Sequence, residues 1–150
     1  MTLRLRSFVT ISLLAGLMLS ACTEPAPRLP TAAQVEPALK SHIDVTIKNA
    51  VSKNVSVADP GGKDIPCGNG RYKRTYAVKA DSVWDSDSDI IATALIGALQ
   101  YAGKYKLVSA SEDLTQREAV SAQYRTRITL SSPAKGKMIV RGETECLPLS

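Results

Sequence analysis

The strongest pattern of apolar positions has the spacing of a helix and covers about residues 88–102. Its apolar residues recur every three or four positions and are Ile91, Ala94, Leu95, Ala98, Leu99 and Ala102. Asp87 or Ser88 can cap the first turn, and Gly103 supplies a stop. The pattern predicts an amphipathic helix that buries this apolar stripe against a sheet.

Alternating apolar and polar positions predict strands on both sides of this helix. Residues 43–47 alternate and predict a strand at the start of the body, with residues 55–57 in its continuation or in a neighbouring strand. Residues 71–79 (RYKRTYAVK) alternate as well. Arg74 falls on the apolar side of that segment, which indicates a bend or a sheet edge.

The C-terminal third predicts one more strand, a second helix and a hairpin. Residues 104–110 favour a strand and residues 111–122 a weaker helix, while 124–130 and 137–143 alternate on either side of a Ser-Pro-Ala-Lys-Gly turn. The expected fold class is therefore α+β. It is a small, mostly antiparallel sheet, with the helix at about 88–102 and the second, short helix packed on one face.

The first 22 residues have the organisation of a secretory signal. Arg4 and Arg6 precede an apolar run at 8–19, which is shorter than the roughly 20 residues that a membrane-spanning helix needs. The letters LSAC at 19–22 resemble the lipobox of bacterial lipoproteins. Two alternatives remain open, namely an ordinary cleaved signal with an incidental cysteine and a retained signal anchor.

The lipobox resemblance implies a specific fate for Cys22. Residues 1–21 would be removed as a signal peptide, and Cys22 would become the first residue of the mature chain, carrying acyl groups such as palmitate. Thr23 stands where lipoproteins retained at the inner membrane have Asp. The resemblance therefore implies a lipid anchor in the outer membrane, with the protein facing the periplasm.

A proline-rich segment follows the expected anchor. Residues 23–37 hold four of the eight prolines, so 22–40 are predicted to be an extended tether, with at most a short helical turn at 32–40 that Pro37 limits. Residues 41–150 are then expected to form a single domain.

The two remaining cysteines favour a disulfide. Cys67 and Cys146 would close a loop of about 80 residues, worth roughly 4–5 kcal/mol as an upper value in the chain-entropy model. Cys67 lies in a loop rich in glycine and proline (DPGGKDIPCGNG, 59–70), which the bond would pin. The alternative is a metal site with His42 as third ligand, although no metal-ligand spacing supports it.

Composition and charge exclude several classes. With 44% hydrophobic and 22% charged residues, the chain is neither disordered nor collagen-like throughout. Loss of residues 1–21 would leave 17 basic against 14 acidic residues, a net charge of +3. This charge is too small to favour a nucleic-acid partner.

Catalysis has little support in the sequence. His42 is the only histidine, and no nucleophile, metalloprotease or phosphate-loop motif accompanies it. Glu143 and Glu145 lie close together without a recognisable active-site context. The acidic run at 85–89 resembles the opening of a calcium loop, but helix capping explains it more simply because Ile90 stands at the glycine position. We expect a protein that is not an enzyme and has no cofactor or metal, with an enzyme that uses His42 as an alternative.

The most suggestive set of charged residues is cationic. If the hairpin and the strand at 71–79 share a sheet, six cations could line one face and bind phosphates of lipopolysaccharide, anionic peptidoglycan groups or an acidic protein. They are Arg71, Lys73, Arg125, Arg127, Lys137 and Arg141. The alternative is a solvated outer face without a partner, as antiparallel sheets commonly have.

Part of the body resembles known envelope proteins. The segment IIATALIGALQYAGKYKLVSA, which follows Asp89, resembles the helix–strand unit of curli-secretion lipoproteins and of the N-terminal domain of the Tol propeller protein, and AQYRTRITLSS resembles the strand that comes next there. The chain is also similar to the lipopolysaccharide-assembly lipoprotein, whose small sheet carries helices on one side. The membrane-spanning strands of the curli family are missing, so the resemblance does not imply pore formation. It implies an envelope assembly or accessory role without selecting a pathway.

The sequence therefore predicts a non-enzymatic accessory or assembly factor of the cell envelope. It would be anchored to the membrane through Cys22 and would contact an envelope protein or an anionic envelope polymer. The alternative is a periplasmic inhibitor or regulator of a cell-wall enzyme, which would use the Cys67 loop as a wedge. The sequence leaves the oligomeric state open.

Overall fold

The computed structural model describes residues 28–108 and 113–149. The predicted signal peptide at 1–21 and the predicted lipid anchor Cys22 lie outside the described residues.

The described residues form two helices and nine strands. The helices are α1 (Ala32–Asn49) and α2 (Ser88–Ala102). The strands are β1 (Ser52–Asp59), β2 (Ile65–Pro66), β3 (Arg71–Lys73), β4 (Thr75–Ser82), β5 (Lys106–Leu107), β6 (Gln116–Ser121), β7 (Thr126–Ser131), β8 (Lys137–Thr144) and β9 (Leu147–Pro148).

Six strands form an antiparallel sheet in the order β1-β4-β8-β7-β6-β5, and β2, β3 and β9 form a small second sheet. Helices α1 and α2 pack against each other and against one face of the larger sheet. The core lies between them and contains Leu39, Ile43, Tyr76, Val78, Leu95, Leu99, Ile128, Leu130, Met138 and Val140. The α+β class with a mostly antiparallel sheet is confirmed.

The expectation of a tether at 32–40 and a strand at 43–47 is wrong, because one helix spans both segments. Thr31 caps α1 in a reciprocal capping box with Gln34. The helix buries residues at positions 32, 35, 36, 39, 43, 46 and 47, which is a helical stripe. Pro37 lies inside α1 on its exposed side. Full burial of Leu39 and Ile43 offsets the backbone hydrogen bond that proline cannot make.

The expected helix at 111–122 is also wrong. Residues 116–121 form β6, which pairs with β7 through a tight connection at 122–125. Ala119 and Ser121 face the core, so this segment follows the strand period. The helix-like composition of the segment is overridden by pairing with the neighbouring strand. Residues 109–112 lie outside the described part.

Other expectations hold with changed limits. Helix α2 is confirmed over Ser88–Ala102, with Asp87 as its N-cap residue, although the Asp87 side chain makes no capping hydrogen bond. The expected strand at 104–110 is described only as the two-residue β5. The segment 71–79 is divided at Arg74 into β3 and β4, which belong to different sheets.

The disulfide between Cys67 and Cys146 is confirmed, so neither thiol is available as a metal ligand. It ties the loop after β2 to the residue before β9. Among the residues that the structure describes, neither helix has the length and apolar character to cross a membrane.

Candidate functional site on the open face of the sheet

The larger sheet has one face without a covering helix, which we call the outer face. It carries the side chains of β4, β8 and β7 that alternate with the core residues. They are Thr75, Ala77, Lys79, Asp81, Arg127, Thr129, Ser131, Lys137, Ile139, Arg141 and Glu143. No described helix packs on this face, so it is open to a partner.

Only some of the six predicted cations share the outer face. Arg127, Lys137 and Arg141 lie on it, and Lys73 reaches it from β3 through Glu143. Because the strand at 71–79 is broken at Arg74, Arg71 belongs to the small sheet instead. Arg125 lies in the turn before β7, where its φ is 51°.

Most of these cations already have partners within the fold. Lys73 Nζ lies 2.6 Å from Glu143 and Lys137 Nζ 2.8 Å from Asp81. Two further ion pairs join Arg127 to Glu118 and Arg125 to Glu145. The outer face therefore alternates in charge and is not a uniform basic patch. Exposed pairs of this kind add little stability and can exchange for a partner's charges.

Arg141 is the central cation of the outer face. It is exposed, it lies between Ala77 and Thr129 in the strand register, and it has no ion-pair partner among the described residues. Lys79 is a diagonal neighbour on the adjacent strand, a position about 7–8 Å away in an antiparallel sheet. An open groove of about 320 Å³ runs past Arg141 and Arg127. A guanidinium in this position can hold a carboxylate or phosphate through two parallel hydrogen bonds.

His42, the candidate base of the enzymatic alternative, lies in a cluster of aromatic and hydroxyl groups. Its Nδ1 is 2.8 Å from the Tyr105 hydroxyl, which is 2.9 Å from Thr126 Oγ1. The Tyr124 ring packs edge-on at 4.4 Å between centroids. Burial lowers the pKa of His42 and raises that of Tyr105. These contacts give His42 a packing role where α1 meets the segment after α2.

The sequence patterns missed a buried ionic cluster beneath the glycine-rich loop. Glu36 is 5% exposed, and its carboxylate accepts hydrogen bonds from Arg74 Nη1 (2.7 Å), Lys40 Nζ (2.8 Å) and the Gly62 N–H (2.6 Å). Arg74 also contacts Asp64 at 2.7 Å. Burial alone would raise the pKa of Glu36, but the donors outweigh it and the net pKa is lowered. The cluster fixes the start of the loop to α1.

Gly61 is required at this junction. Its φ is +73°, and a Cβ there would lie 2.4 Å from Glu36 Oε1 and 2.6 Å from the Thr75 carbonyl oxygen. No local pattern predicts that Glu36 pairs with Arg74, because the two residues are 38 positions apart. Arg74 on the apolar side of its strand was the one available signal, since a cation there needs a buried counter-charge.

Comparisons with known proteins give little further information. No family model matches the chain, and no curated protein matches it. A solved structure of similar shape is a DUF4853 family protein from Actinomyces odontolyticus, which is 13% identical and aligns over 79% of this chain and 67% of that chain, with a TM-score of 0.49. A likeness this distant says nothing about what the chain binds or does.

Proposed function

We propose that this chain is a lipoprotein of the outer membrane, anchored through Cys22 and facing the periplasm, and that it acts as a non-enzymatic accessory factor. Its α+β domain would contact an envelope protein or an anionic envelope polymer. The observation that carries the proposal is the order of features at the N-terminus, namely Arg4 and Arg6, a short apolar run and LSAC ending at Cys22.

The Cys67–Cys146 disulfide supports a location outside the cytosol, because such bonds persist in oxidising compartments. Several acyl chains, each contributing about 0.8 kcal/mol per buried methylene, would hold the protein durably at a bilayer. Confinement to the membrane would raise the effective concentration of the domain near envelope partners. Even a contact of low affinity would then be occupied much of the time.

Fractionation of cells that produce the full chain tests the anchor. The unmodified chain is expected in the outer-membrane fraction, and Cys22→Ala is expected to release it or to leave an unprocessed precursor. Thr23→Asp is expected to move it to the inner membrane. Recovery of the unmodified chain and of Cys22→Ala in the same soluble fraction would contradict the proposal.

The outer face is the favoured contact surface, because Arg141 and Lys79 have no ion-pair partners among the described residues. Binding of the full chain to purified peptidoglycan and to vesicles containing lipopolysaccharide measures the contact. We expect Arg141→Glu to weaken binding to one of them several-fold. Lys104→Glu, an exposed charge change away from this face, is the matched control and should bind normally. Equal binding by both variants would exclude the outer face as the contact surface for these two anionic envelope components.

The inhibitor alternative is favoured by a different observation, the fixation of the glycine-rich loop at both ends. Its residues at 62–70 are exposed, while the Gly62 N–H is bonded to Glu36 and Cys67 to Cys146. Ile65→Glu changes the exposed part of this loop without touching either attachment. Inhibition of a purified cell-wall hydrolase that Ile65→Glu abolishes and Arg141→Glu leaves intact would favour the wedge over the outer face.

A further inference from the structure

The only tryptophan of the chain lies on the surface, in a loop that the fold holds firmly. The Trp84 side chain is 64% exposed between β4 and α2. Its backbone N–H donates to Ser82 Oγ, its carbonyl accepts from the Ser86 N–H, and the neighbouring Val83 N–H donates to the Val51 carbonyl. The backbone that carries the exposed indole is therefore held by hydrogen bonds on both sides of Trp84.

Trp84 is one of three large, exposed apolar side chains around a single cavity. Val51, two residues after the end of α1, is 51% exposed, and Ile90, in the first turn of α2, is 56% exposed. The floor of the cavity contains Ile91 and Met138, which belong to the buried core. The result is an apolar depression between α1, α2 and the end of β4 that opens to solvent.

The size of the cavity indicates what it can hold. Its volume is about 180 Å³, whereas pockets for cofactors and drug-sized ligands usually measure about 300–1,000 Å³. A single bulky apolar side chain suits this space better than a small-molecule ligand. Exposed tryptophans beside such depressions are typical of the residues that dominate protein–protein binding.

Three acidic residues lie along the chain between the residues that line one side of the cavity, Trp84, Ser86 and Ile90. Asp85, Asp87 and Asp89 follow Trp84 directly, and all three are exposed. Asp87 is the N-cap residue of α2 but accepts no capping hydrogen bond with its side chain. Asp85 forms a solvent-exposed pair with Lys135 at 3.2 Å. The negative charge favours a cationic partner and opposes contact with an anionic lipid surface.

We propose that the Trp84 depression is a docking site for a protein segment that inserts one bulky apolar side chain flanked by lysine or arginine. This site goes beyond the proposed outer-face contact, because it lies at the end of β4 rather than on the open sheet face and selects the opposite charge. It does not depend on lipidation of Cys22, so either proposal can fail while the other stands.

Fluorescence of the single tryptophan reports occupancy of the site directly. The full chain is studied in the form in which it is recovered, in phosphatidylcholine vesicles if lipidated and in buffer otherwise. Short peptides with one leucine or phenylalanine between lysines are compared with peptides in which glutamates replace the lysines. We expect a saturable blue shift and protection from acrylamide quenching with the lysine peptides only.

Two variants and one control sharpen the measurement. Asp87→Asn keeps a good N-cap residue but removes a charge, and should weaken peptide binding about two- to fivefold, the size of an exposed ion pair. Ile90→Ala should weaken it about tenfold through lost apolar contact. Leu107→Ala removes an apolar side chain of similar exposure (53%) on β5 and should change nothing.

Other outcomes would overturn the proposal. Equal shifts with lysine and glutamate peptides, or no shift with either, would exclude a cationic docking segment. A blue shift without peptide that grows with phosphatidylglycerol content would identify the bilayer as the occupant. A blue shift that grows with protein density would identify a second copy of the chain.

Discussion

The Glu36 cluster provides a sharp test of how this fold is held together. Glu36→Gln keeps the size of the side chain but removes the charge that three donors share, at 2.6, 2.7 and 2.8 Å. Hydrogen bonds to a charged group contribute about 1.5–3 kcal/mol each, and breaking a buried ion pair costs about 3–5 kcal/mol. In Glu36→Gln, Arg74 retains Asp64 as a partner. The variant is therefore expected to lose about 2–4 kcal/mol of the free energy of unfolding.

Urea unfolding followed by circular dichroism at neutral pH, with the disulfide intact, measures this loss. The matched control is Glu145→Gln, which removes a carboxylate that also pairs with an arginine but is 49% exposed. The control should lose less than about 1 kcal/mol. Equal losses in the two variants would refute the role assigned to the buried cluster.

The loss of stability caused by Glu36→Gln should depend on pH. The pKa of Glu36 is lowered in the folded chain, because the donors outweigh the opposing effect of burial. Its contribution to stability is therefore present above the ordinary glutamate pKa of 4.5 and is lost as the pH falls through the lower, folded value. The difference in free energy of unfolding between the unmodified chain and Glu36→Gln should become smaller below about pH 4.5. A difference in free energy of unfolding that becomes larger in acid would contradict the lowered pKa of Glu36.

Three further predictions concern other parts of the fold. Gly142→Ala places a Cβ 2.5 Å from Leu39 Cδ1, and thermal unfolding should show a loss of about 1–3 kcal/mol, whereas an unchanged melting temperature would contradict the close approach of α1 to β8. Burial lowers the pKa of His42, so the chain should lose stability as the pH falls below about 6.5, and His42→Gln should remove that dependence; persistence of the full dependence would assign it to another group. The double variant Cys67→Ser, Cys146→Ser should lower the free energy of unfolding by about 2–5 kcal/mol, because the bond joins residues 79 positions apart and restrains the unfolded chain. An unchanged urea midpoint would show that the bond does not stabilise the fold.

Local patterns predicted those elements whose neighbours in sequence decide their conformation. Helix α2 has a complete apolar stripe, a capping residue and a terminal glycine, and it forms over the expected residues. The hairpin of β7 and β8 likewise follows its alternation and its turn. Once Cys22 was assigned to the expected lipid anchor, Cys67 and Cys146 were the two cysteines left to form the predicted disulfide.

Helix α1 was missed because two local signals pointed the wrong way. Pro37 suggested an interruption, and residues 43–47 alternate over a window too short to distinguish a strand from a helix. Only the full set of buried positions from Ala32 to Ile47 shows the helical period. Pro37 is tolerated because it faces solvent while Leu39 and Ile43 are fully buried.

The charge pairing on the sheet was beyond the reach of sequence patterns. Arg127 meets Glu118 and Lys137 meets Asp81 only after the strands align, and the second pair is 56 positions apart. The prediction of a basic face counted cations without the carboxylates that the register places beside them. Arg141 stands out only when the paired charges have been identified.

Labelling growing cells with palmitate tests the central claim most directly, because acylation at position 22 is what would confine the domain to a membrane. The account predicts that the mature chain incorporates the label and that Cys22→Ser abolishes incorporation. An unlabelled mature chain, or equal labelling of Cys22→Ser, would contradict the account.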